Sequence, residues 1–408
     1  MRGILYILAA ALAVTALTGM PGRVRAAENS GETAARASVP EIEIGTKEIP
    51  DSAGMALARE MGPGWNLGNT FDAVNCGWVK DKLDYESAWC GVKTSEKLID
   101  ALRKAGFRTI RIPVSWHEHV DGEFRIDRDW MERVAEVASW AYDRGMYVIL
   151  NIHHDCEKGY YYPEAAHAET SEAYMRAIWS QVAERFASWD EHLIFESVNE
   201  PRLKGDPKYE WWWDGGNPAC REAMAEIVRL NQVFVDTVRA AGGRNGERFL
   251  MVPSYCANPD FACAEAFSMP EDPAEGRILV SVHAYTPYDF ALEQPGRRSF
   301  RLEDSGQKSA VASFQERLYR KFVSRGIPVV IGEFGAMDKD GNLQDRVDWT
   351  AWYAAGARAR GIPCCWWDNN IFSGTGERFG LMDRVTGECA YPEILEALMK
   401  YSGADAPQ

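Results

Sequence analysis

Short apolar runs alternate with amphipathic helical segments from about residue 52 onward. Runs such as "YVILNIHHD", "LIFESVNEP" and "PVVIGEFG" are apolar at successive positions, which is typical of parallel strands that are covered on both faces. The segments between such runs, for example "SEKLIDALRKAG" and "SEAYMRAIWSQVAERFAS", show apolar residues at helical spacing. This alternation predicts a series of strand–helix units built on a parallel sheet.

Eight strand candidates follow one another in this series. They are "GWNLGN", "TIRIPVSW", "YVILNIHHD", "LIFESVNEP", "RFLMVPSY", "RILVSVHAY", "PVVIGEFG" and "IPCCWWDNN". Eight units in one unbroken series favour an α/β fold with a single (β/α)8 barrel over an open doubly wound sheet. No glycine-rich phosphate loop follows the first strand, which argues against a dinucleotide-binding fold. The helix after the fifth strand is the weakest, because residues 256–276 carry only "ANPDFACAEAF".

The two ends of the chain differ from the barrel segment. Residues 1–26 combine Arg2, an apolar run and a small-residue cleavage pattern, which predicts a signal peptide. A retained membrane anchor is the alternative, but the run is short for a span and rich in Ala and Thr. We expect a disordered leader over 27–51, the barrel domain over 52–403 and a tail over 404–408. The mature chain is expected to be secreted, extracellular or periplasmic, without membrane insertion.

Composition narrows the possible partners. A net charge of −15 argues against nucleic acid and anionic membranes. The 15 Trp, 16 Tyr and 16 Phe residues point mainly to a large aromatic core. Nine cysteines in an exported chain permit disulfides, but the number is odd and the spacing fits no metal motif. Cys76 with Cys90, or Cys256 with Cys263, could pair within loops, and this stays open.

Polar and aromatic side chains recur at the C-terminal ends of the predicted strands, where such barrels carry their active sites. These residues are Arg111; His153, His154 and Asp155; Asn199 and Glu200; His283 and Tyr285; Glu333; Trp366, Trp367 and Asp368; and, less clearly, Asn69 and Tyr255. Side chains alternate along a strand, so His283 and Tyr285 share a face. Asn199 and Glu200 are adjacent and can face one mouth only if the chain bends before Pro201. We expect that bend.

Glu200 and Glu333 end the fourth and seventh strands. A pair of carboxyl groups on either side of a bond is the arrangement that glycoside hydrolysis uses. One carboxyl group must be protonated so that it can donate a proton to the leaving oxygen, and the other must be ionised so that it can attack carbon. Arg111 would favour ionisation of a neighbouring carboxylate, and Tyr285 could donate a hydrogen bond to the same group.

The same residues also allow structural interpretations. A lone strand-end glutamate is more often part of an ion pair, and Glu196, inside the fourth strand, is expected to be the buried partner of a basic group. Adjacent His153 and His154 face opposite ways on a strand, so no metal site is expected. Two other classes remain open. A metal-dependent barrel hydrolase would be sensitive to chelators, and a non-catalytic sugar-binding barrel would lack one of the two carboxylates.

Seven motifs occur in order at the matching strand ends, and together they resemble glycoside hydrolase family 5 in its bacterial endoglucanase branch. They are "GWNLGNTFDA", "IRIPVSW", "NIHHD", "NEPR", "VHAYTPYDF", "IGEFG" and "WWDN". The resemblance extends from Gly64 to Asn370. It implies a retaining double displacement on β-1,4-glucan of the cellulose or mixed-linkage type. We expect no cofactor or metal and a monomeric protein. A xyloglucan-specific endo-β-1,4-glucanase and an endo-β-1,4-mannanase are the alternatives.

The resemblance also implies roles for individual residues. Glu200 would be the acid/base and Glu333 the nucleophile. Arg111 and Tyr285 would orient Glu333, and His283 would support Glu200. The sugar contacts would be His153 and Asn199, with Trp367 as a platform and His154 and Asn69 further out. Separately, Trp211, Trp212 and Trp213 lie in the loop after the fourth strand, and at least one is expected to stack on a sugar on the leaving-group side.

Overall fold

Eight parallel strands close into a barrel in the order in which they occur along the chain. The structure is a computed structural model that describes residues 37–403. The strands are β1 Gly64–Leu67, β2 Thr109–Ile112, β3 Tyr147–Asn151, β4 Leu193–Glu196, β5 Leu250–Pro253, β6 Ile278–His283, β7 Val329–Phe334 and β8 Cys364–Asp368. The predicted (β/α)8 barrel is therefore confirmed. The predicted signal peptide and the tail over 404–408 lie outside the described residues.

Helices separate the strands and cover the outside of the barrel. They are α1 Ala53–Met61, α2 Tyr85–Ala88, α3 Glu96–Ala105, α4 Arg128–Tyr142, α5 Ala168–Arg185, α6 Pro218–Ala240, α7 Pro259–Ala262, α8 Tyr288–Ala291, α9 Ser305–Lys321, α10 Leu343–Arg358 and α11 Pro392–Ser402. The weak helix expected after β5 is indeed only the short α7. Gly106, with φ of 106°, ends α3 in the left-handed conformation that glycine adopts without strain.

Alternation along the strands separates two cores. On β3, Val148 and Leu150 pack outward against the helices, whereas Ile149 points into the barrel. The lower half of the barrel interior is apolar, and Leu57 and Met61 of α1 close it from below. This division follows from the two-residue period of strand side chains.

The upper half of the barrel interior is polar. Asn66 of β1 pairs in register with Arg111 of β2 on one side and with Trp367 of β8 on the other. On the opposite side, His283 of β6 is level with Glu333 of β7. Strand register therefore brings the polar strand-end residues to one height at the mouth.

Residues 37–51 differ from the expectation of a disordered leader. The segment is extended, and Val39, Ile42 and Ile44 pack against the helical layer. The N–H of Lys47 donates to the carbonyl of Ala359 at 2.7 Å, just after α10. Because helices of the barrel run antiparallel to the strands, these helix ends lie beneath the barrel, and the segment crosses that face. The expectation was wrong for 37–51, since apolar side chains that alternate with glutamates can be buried on one side.

All nine cysteines lie in the described part of the chain, and each is a free thiol. Neither Cys76 with Cys90 nor Cys256 with Cys263 forms a disulfide. Cys364 and Cys365 are buried on β8. Between residues 37 and 403, no helix combines the length and the apolar character needed to cross a membrane.

We predict that Tyr401→Phe destabilises the fold. The Tyr401 hydroxyl donates to the carbonyl of Pro40 at 2.6 Å and accepts from the N–H of Ile42 at 2.8 Å. Phenylalanine leaves both partly buried groups without their partner, so urea unfolding should show a loss of about 1–2 kcal/mol. Lys400→Ala is the control, because its ion pair with Glu41 is exposed and should contribute well under about 1 kcal/mol. Equal effects of the two variants would contradict the prediction.

Candidate active site

The guanidinium of Arg111 lies at the centre of the mouth. Arg111 is fully buried, and its Nε donates to Oε2 of Glu196 at 2.7 Å. Its Nη1 donates to Oδ1 of Asn66 at 2.9 Å and to Oε1 of Glu333 at 2.8 Å. Burial opposes the charge, but Glu196 and Glu333 outweigh burial and raise the pKa of Arg111. One cation thus holds two carboxylates in fixed positions.

Glu196 is the buried ion-pair partner that the sequence led us to expect. Its Oε1 accepts a hydrogen bond from Oγ of Ser281 at 2.5 Å. Its Oε2 accepts a second bond from Nδ2 of Asn151 at 3.1 Å, in addition to the one from Arg111. The side chain has no exposed surface and therefore cannot contact a molecule in the cleft.

Glu333 presents its carboxylate at the end of β7. Its Oε1 is bound by Arg111, and its Oε2 accepts from the hydroxyl of Tyr285 at 3.0 Å. Burial, followed by the negative charge of Glu333, raises the pKa of Tyr285, so this hydroxyl remains a donor. Gly332 makes the arrangement possible, because a Cβ there would lie 3.1 Å from Nε2 of His283.

Glu200 reaches the same mouth because β4 ends at Glu196 and the chain bends over the next residues. The expected bend lets both adjacent side chains face inward. Oδ1 of Asn199 accepts from Nη2 of Arg111 at 2.8 Å, and Oε1 of Glu200 lies 2.8 Å from Nδ1 of His283. Burial favours the neutral carboxyl group, but the hydrogen bond and positive charge of His283 outweigh it and lower the pKa of Glu200.

His283 connects the two candidate carboxyl groups. Its Nδ1 lies 2.8 Å from Oε1 of Glu200 and 3.6 Å from Oε1 of Glu333. Burial disfavours the imidazolium, yet the charge of Glu333 and the hydrogen bond to Glu200 outweigh burial and raise the pKa of His283. The arrangement therefore holds one proton between His283 and Glu200 near neutral pH.

Aromatic rings form a wall beside the carboxylates. The rings of His153 and Trp367 are parallel within 3°, with centroids 5.9 Å apart. A Cβ at Gly68 would lie 2.7 Å from Cζ2 of Trp367, so glycine leaves room for the indole. Burial, with neighbouring positive charges, lowers the pKa of His153 and lowers that of His154 to about 3. Both imidazoles are neutral and can donate and accept hydrogen bonds.

Asp72 and Asn69 lie at the outer edge of this wall. Asn69 has φ of 56° in the turn after β1, and its N–H donates to Oδ2 of Asp72 at 3.0 Å. Nε2 of His154 lies 4.0 Å from the same oxygen. Asn69 is therefore held next to His154, on the same side of the mouth.

The three tryptophans after β4 have different surroundings. Trp211 is 37% exposed and lies flat on the guanidinium of Arg202, whose Cζ is 3.9 Å from the ring centroid. Arg202 in turn donates from Nη1 to the carbonyl of Glu200 at 2.8 Å. Trp212 is 61% exposed, whereas Trp213 donates from Nε1 to the carbonyl of Cys220. Only Trp211 is tied directly to the site, and Trp213 is anchored as a packing residue.

Three strand-end candidates hold loops in place and do not face the mouth. Asp155 accepts hydrogen bonds from the backbone N–H of Trp116 and the hydroxyl of Tyr174. The hydroxyl of Tyr255 accepts from the N–H of Leu203, which secures the loop after β4. Asp368, the last residue of β8, accepts from Trp65 and from the backbone of the following loop.

Sequence reasoning missed Asn66, Ser281 and Arg202. Asn66 and Ser281 are polar residues inside otherwise apolar strands, and this interruption was the available signal. Nδ2 of Asn66 donates to the carbonyl of Gly332 at 2.9 Å, which ties β1 to β7 across the barrel. The signal for Arg202 was a basic residue two positions after Glu200.

Within residues 37–403, two groups of side chains bring potential metal ligands within 4.8 Å of one another. They are Asp72 with His153 and His154, and Glu200 with His283 and Glu333. In the first group, the carboxylate of Asp72 already accepts two backbone N–H bonds. In the second, a divalent cation would face the fixed positive charge of Arg111 2.8 Å from Glu333. The donor sets therefore suit hydrogen bonding better than metal binding.

Comparisons with known proteins converge on one group. The model of the family described as Cellulase (glycosyl hydrolase family 5) matches residues 70–373. The chain is 42% identical over 352 residues to Endoglucanase B of Ruminococcus albus, covering 86% of this chain and 81% of that protein.

Two solved structures are also similar. The first is the complex of a mutant glycoside hydrolase 5 lichenase from Caldicellulosiruptor sp. F32 with cellotetraose (TM-score 0.89, 53% identity, 90% of this chain and 100% of that chain). The second is a GH5-4 broad specificity endoglucanase from Ruminococcus champanellensis with bound cellotriose (TM-score 0.79, 43% identity, 86% and 100%).

We predict that Asp72→Asn changes how stability depends on pH. Burial raises the pKa of Asp72 to about 6, although the N–H groups of Thr70 and Asn69 partly offset it. The native state thus favours the protonated form, and this contribution is lost as pH rises toward 6. The asparagine variant does not titrate, so its stability relative to wild type should rise by about 2 kcal/mol between pH 4 and pH 7. Urea unfolding at intervals across this range measures the difference, and parallel curves would exclude the effect.

Proposed function

The chain belongs to the cellulase family, glycosyl hydrolase family 5, and we propose that it is an endo-β-1,4-glucanase that cleaves internal bonds with retention of configuration. The observation that carries the proposal is the close approach of Glu200 and Glu333. One carboxylate oxygen of Glu200, one of Glu333 and a ring nitrogen of His283 all lie within 4.8 Å of one another. Carboxyl groups about 5 Å apart are typical of retaining enzymes, because inverting enzymes need room for a water molecule between them.

In the first step, Glu333 attacks the anomeric carbon and forms a glycosyl ester. Arg111 and Tyr285 each bind one oxygen of its carboxylate, so the attacking oxygen is aimed without further rearrangement. Glu200 gives a proton to the glycosidic oxygen as the leaving sugar departs. Its proton is the one held with His283, 2.8 Å away.

In the second step, the roles at Glu200 reverse. The glycosyl ester has no negative charge at Glu333, so the charge that stabilised the imidazolium of His283 is gone. The pair of Glu200 and His283 gave its proton to the leaving sugar in the first step, and without that charge it is less prone to take up another proton from solvent before water attacks. The Glu200 carboxylate then takes a proton from water, which attacks the glycosyl ester and releases the product.

Other residues position the sugars. We assign His153 and Asn199 to the hydroxyl groups of the reacting sugar and Trp367 to its apolar face, with His154 and Asn69 further along the chain of sugars. On the leaving-group side, we assign Trp211, because it is exposed and its other face rests on Arg202. Aromatic rings offer such flat apolar surfaces at low entropic cost.

The comparisons support β-1,4-glucan as the substrate class. The lichenase and the broad specificity endoglucanase among the similar structures support testing mixed-linkage glucan and cellulose derivatives first. Xyloglucan and mannan are the alternatives, since the width of the loops around the mouth decides whether branches are accepted. Activity on mannan alone would correct the substrate and leave the chemistry unchanged.

We also propose that residues 1–26 are removed as a signal peptide and that the mature enzyme acts outside the cytoplasm as a monomer. N-terminal sequencing of protein recovered from the medium or periplasm would show an intact residue 1 if the first part is wrong. Light scattering on the eluted enzyme measures its mass, and a dimer would contradict the second part.

We predict that Glu333→Gln lowers turnover roughly 10⁴-fold, because the amide cannot form the ester. Wild type and variant are assayed in parallel on carboxymethyl cellulose, mixed-linkage β-glucan, xyloglucan and mannan. Azide should restore activity to Glu333→Ala and give a product of inverted configuration. Glu123→Gln, which alters an exposed ion pair with Arg125, is the control and should keep full activity. A loss of only a few-fold in Glu333→Gln would rule out its assignment as nucleophile.

We predict that Glu200→Ala separates substrates by their leaving groups. Natural polysaccharides need protonation of the leaving oxygen and should lose about 10³-fold or more in kcat/KM. A dinitrophenyl cellobioside releases dinitrophenolate, which departs as an anion without protonation, so kcat/KM on this substrate should fall by about tenfold at most. Equal losses on both substrates would show that Glu200 is not the acid.

A further inference from the structure

Arg111 bears one positive charge and contacts two carboxylates. Its Nε is 2.7 Å from Glu196, and its Nη1 is 2.8 Å from Glu333. Only Glu333 can react, because Glu196 has no exposed surface and is surrounded by Arg111, Ser281 and Asn151. The mechanism above gives Glu196 no role, yet it is the closer of the two partners.

We propose that Glu196 is a positioning residue that neutralises Arg111 and thereby leaves the full negative charge of Glu333 to act on the reacting groups. The inference rests on the proposed function, because it concerns which residues place the pH optimum of that reaction near neutrality. Arg111 then orients the carboxylate of Glu333 through its hydrogen bond. Because its own charge is neutralised by Glu196, it does little to reduce the reactivity of that carboxylate.

The geometry makes Glu196 effective at a distance. It is shielded from water, so its field is screened much less than that of a surface group. Its Oε1 lies 4.0 Å from Nε2 of His283, whose other nitrogen faces Glu200. Glu196 therefore acts on Glu333 through Arg111 and on the proton-carrying pair directly across the barrel.

Titratable and charged groups face Glu196 from several strands. Arg111 on β2, His283 on β6 and Cys365 on β8 interact with Glu196 directly. One contact further away are Glu333 on β7, Glu200 just after β4 and His153 just after β3, through Arg111, His283 and Asn151. The charge of Arg202, just after β4, acts on Glu200. Burial, with Glu196 and Glu333 nearby, raises the pKa of the Cys365 thiol to about 12, so this thiol stays neutral. Burial and nearby cations lower the pKa of His153, which is also neutral. The charges that matter are thus Arg111, Glu196, Glu333, Arg202 and the Glu200–His283 pair.

The consequence is a balance of charges in the resting site. Arg111 and Glu196 cancel, and the pair of Glu200 and His283, which shares one proton, is neutral overall, so the negative charge of Glu333 is left to act on that proton. Glu333 therefore stays reactive as a nucleophile, and its negative charge keeps the proton on the pair of Glu200 and His283. Without Glu196, Arg111 would cancel Glu333, and both the nucleophile and the acid would lose their protons at lower pH.

A purely structural ion pair predicts something different. Loss of such a pair lowers stability and rate at every pH, but it leaves the pH dependence of the rate in place. The charge balance instead requires both limbs of the profile of kcat/KM to move in the same direction, because one negative charge has been removed near every titrating group.

The test is the pH profile of kcat/KM for Glu196→Gln on mixed-linkage β-glucan. Glutamine has the same shape and can keep an acceptor toward Arg111 while removing the charge. We expect both limbs to move to lower pH by about one unit. At the optimum of the wild type, kcat/KM should fall by about tenfold, and part of the loss should be recovered at lower pH. Unmoved limbs would overturn the proposal.

Two matched variants separate charge from packing. Ser281→Ala removes a hydrogen bond to Glu196 but keeps its charge, so the limbs should stay within about 0.3 units of wild type, whatever the loss of rate. Glu196→Asp keeps the charge on a shorter side chain and should also leave the limbs in place. If the limbs of the pH profile move as far in either of these variants as in Glu196→Gln, the shift is due to disturbed packing and the proposal is overturned.

The outcome is distinguishable from failure of the proposed function. If wild type hydrolyses β-glucan and Glu333→Gln does not, the function stands whatever Glu196→Gln shows. If Glu196→Gln does not fold, the wild type is tested by the ¹³C resonance of the Glu196 carboxyl group, assigned with Glu196→Asp. That resonance must keep its ionised position across the active pH range, and a protonated Glu196 at the optimum would overturn the proposal.

Discussion

The hydrogen bonds of Arg111 determine the shape of the barrel mouth. Its three nitrogens reach Glu196, Asn66, Glu333 and Asn199, with His283 at 3.5 Å from Nη2. These partners come from four of the eight strands or the residues just after them. A guanidinium is planar and always charged, so it can fix so many groups only if each strand ends at the correct height. The apolar lower core and the helical layer serve this requirement by holding the strand register.

Much of the fold could be predicted from the sequence because its signals are local. Each strand is a continuous apolar run, and most helices have clear apolar periodicity, so eight repeated units were recognisable without knowing any contact. The extended segment over 37–51 was missed for a physical reason. Its order depends on Tyr401 and Ala359, more than 300 residues away along the chain, and its own pattern is too short to be recognised as a strand.

The candidate site also contains residues that could be predicted from the sequence and residues that could not. Glu200 and Glu333 could be singled out because a carboxylate at the end of an apolar strand is costly unless it has a partner or a use. That Glu196 needs a basic partner was also evident from its burial within a strand. Which base it meets was not, since that depends on the register between β2 and β4 through β3. The support from Asn66 and Ser281 is likewise set by register and not by neighbouring residues.

The extended segment and α11 meet beneath the barrel, where Tyr401 binds both Pro40 and Ile42. The two ends of the described range, residues 37–403, are therefore neighbours, on the face remote from Glu200 and Glu333. A partner domain fused at either end would hang below the barrel and leave the path of a polysaccharide across the mouth free. The same proximity makes this fold a candidate for circular permutation, in which these ends are joined and new ones are opened in an exposed loop.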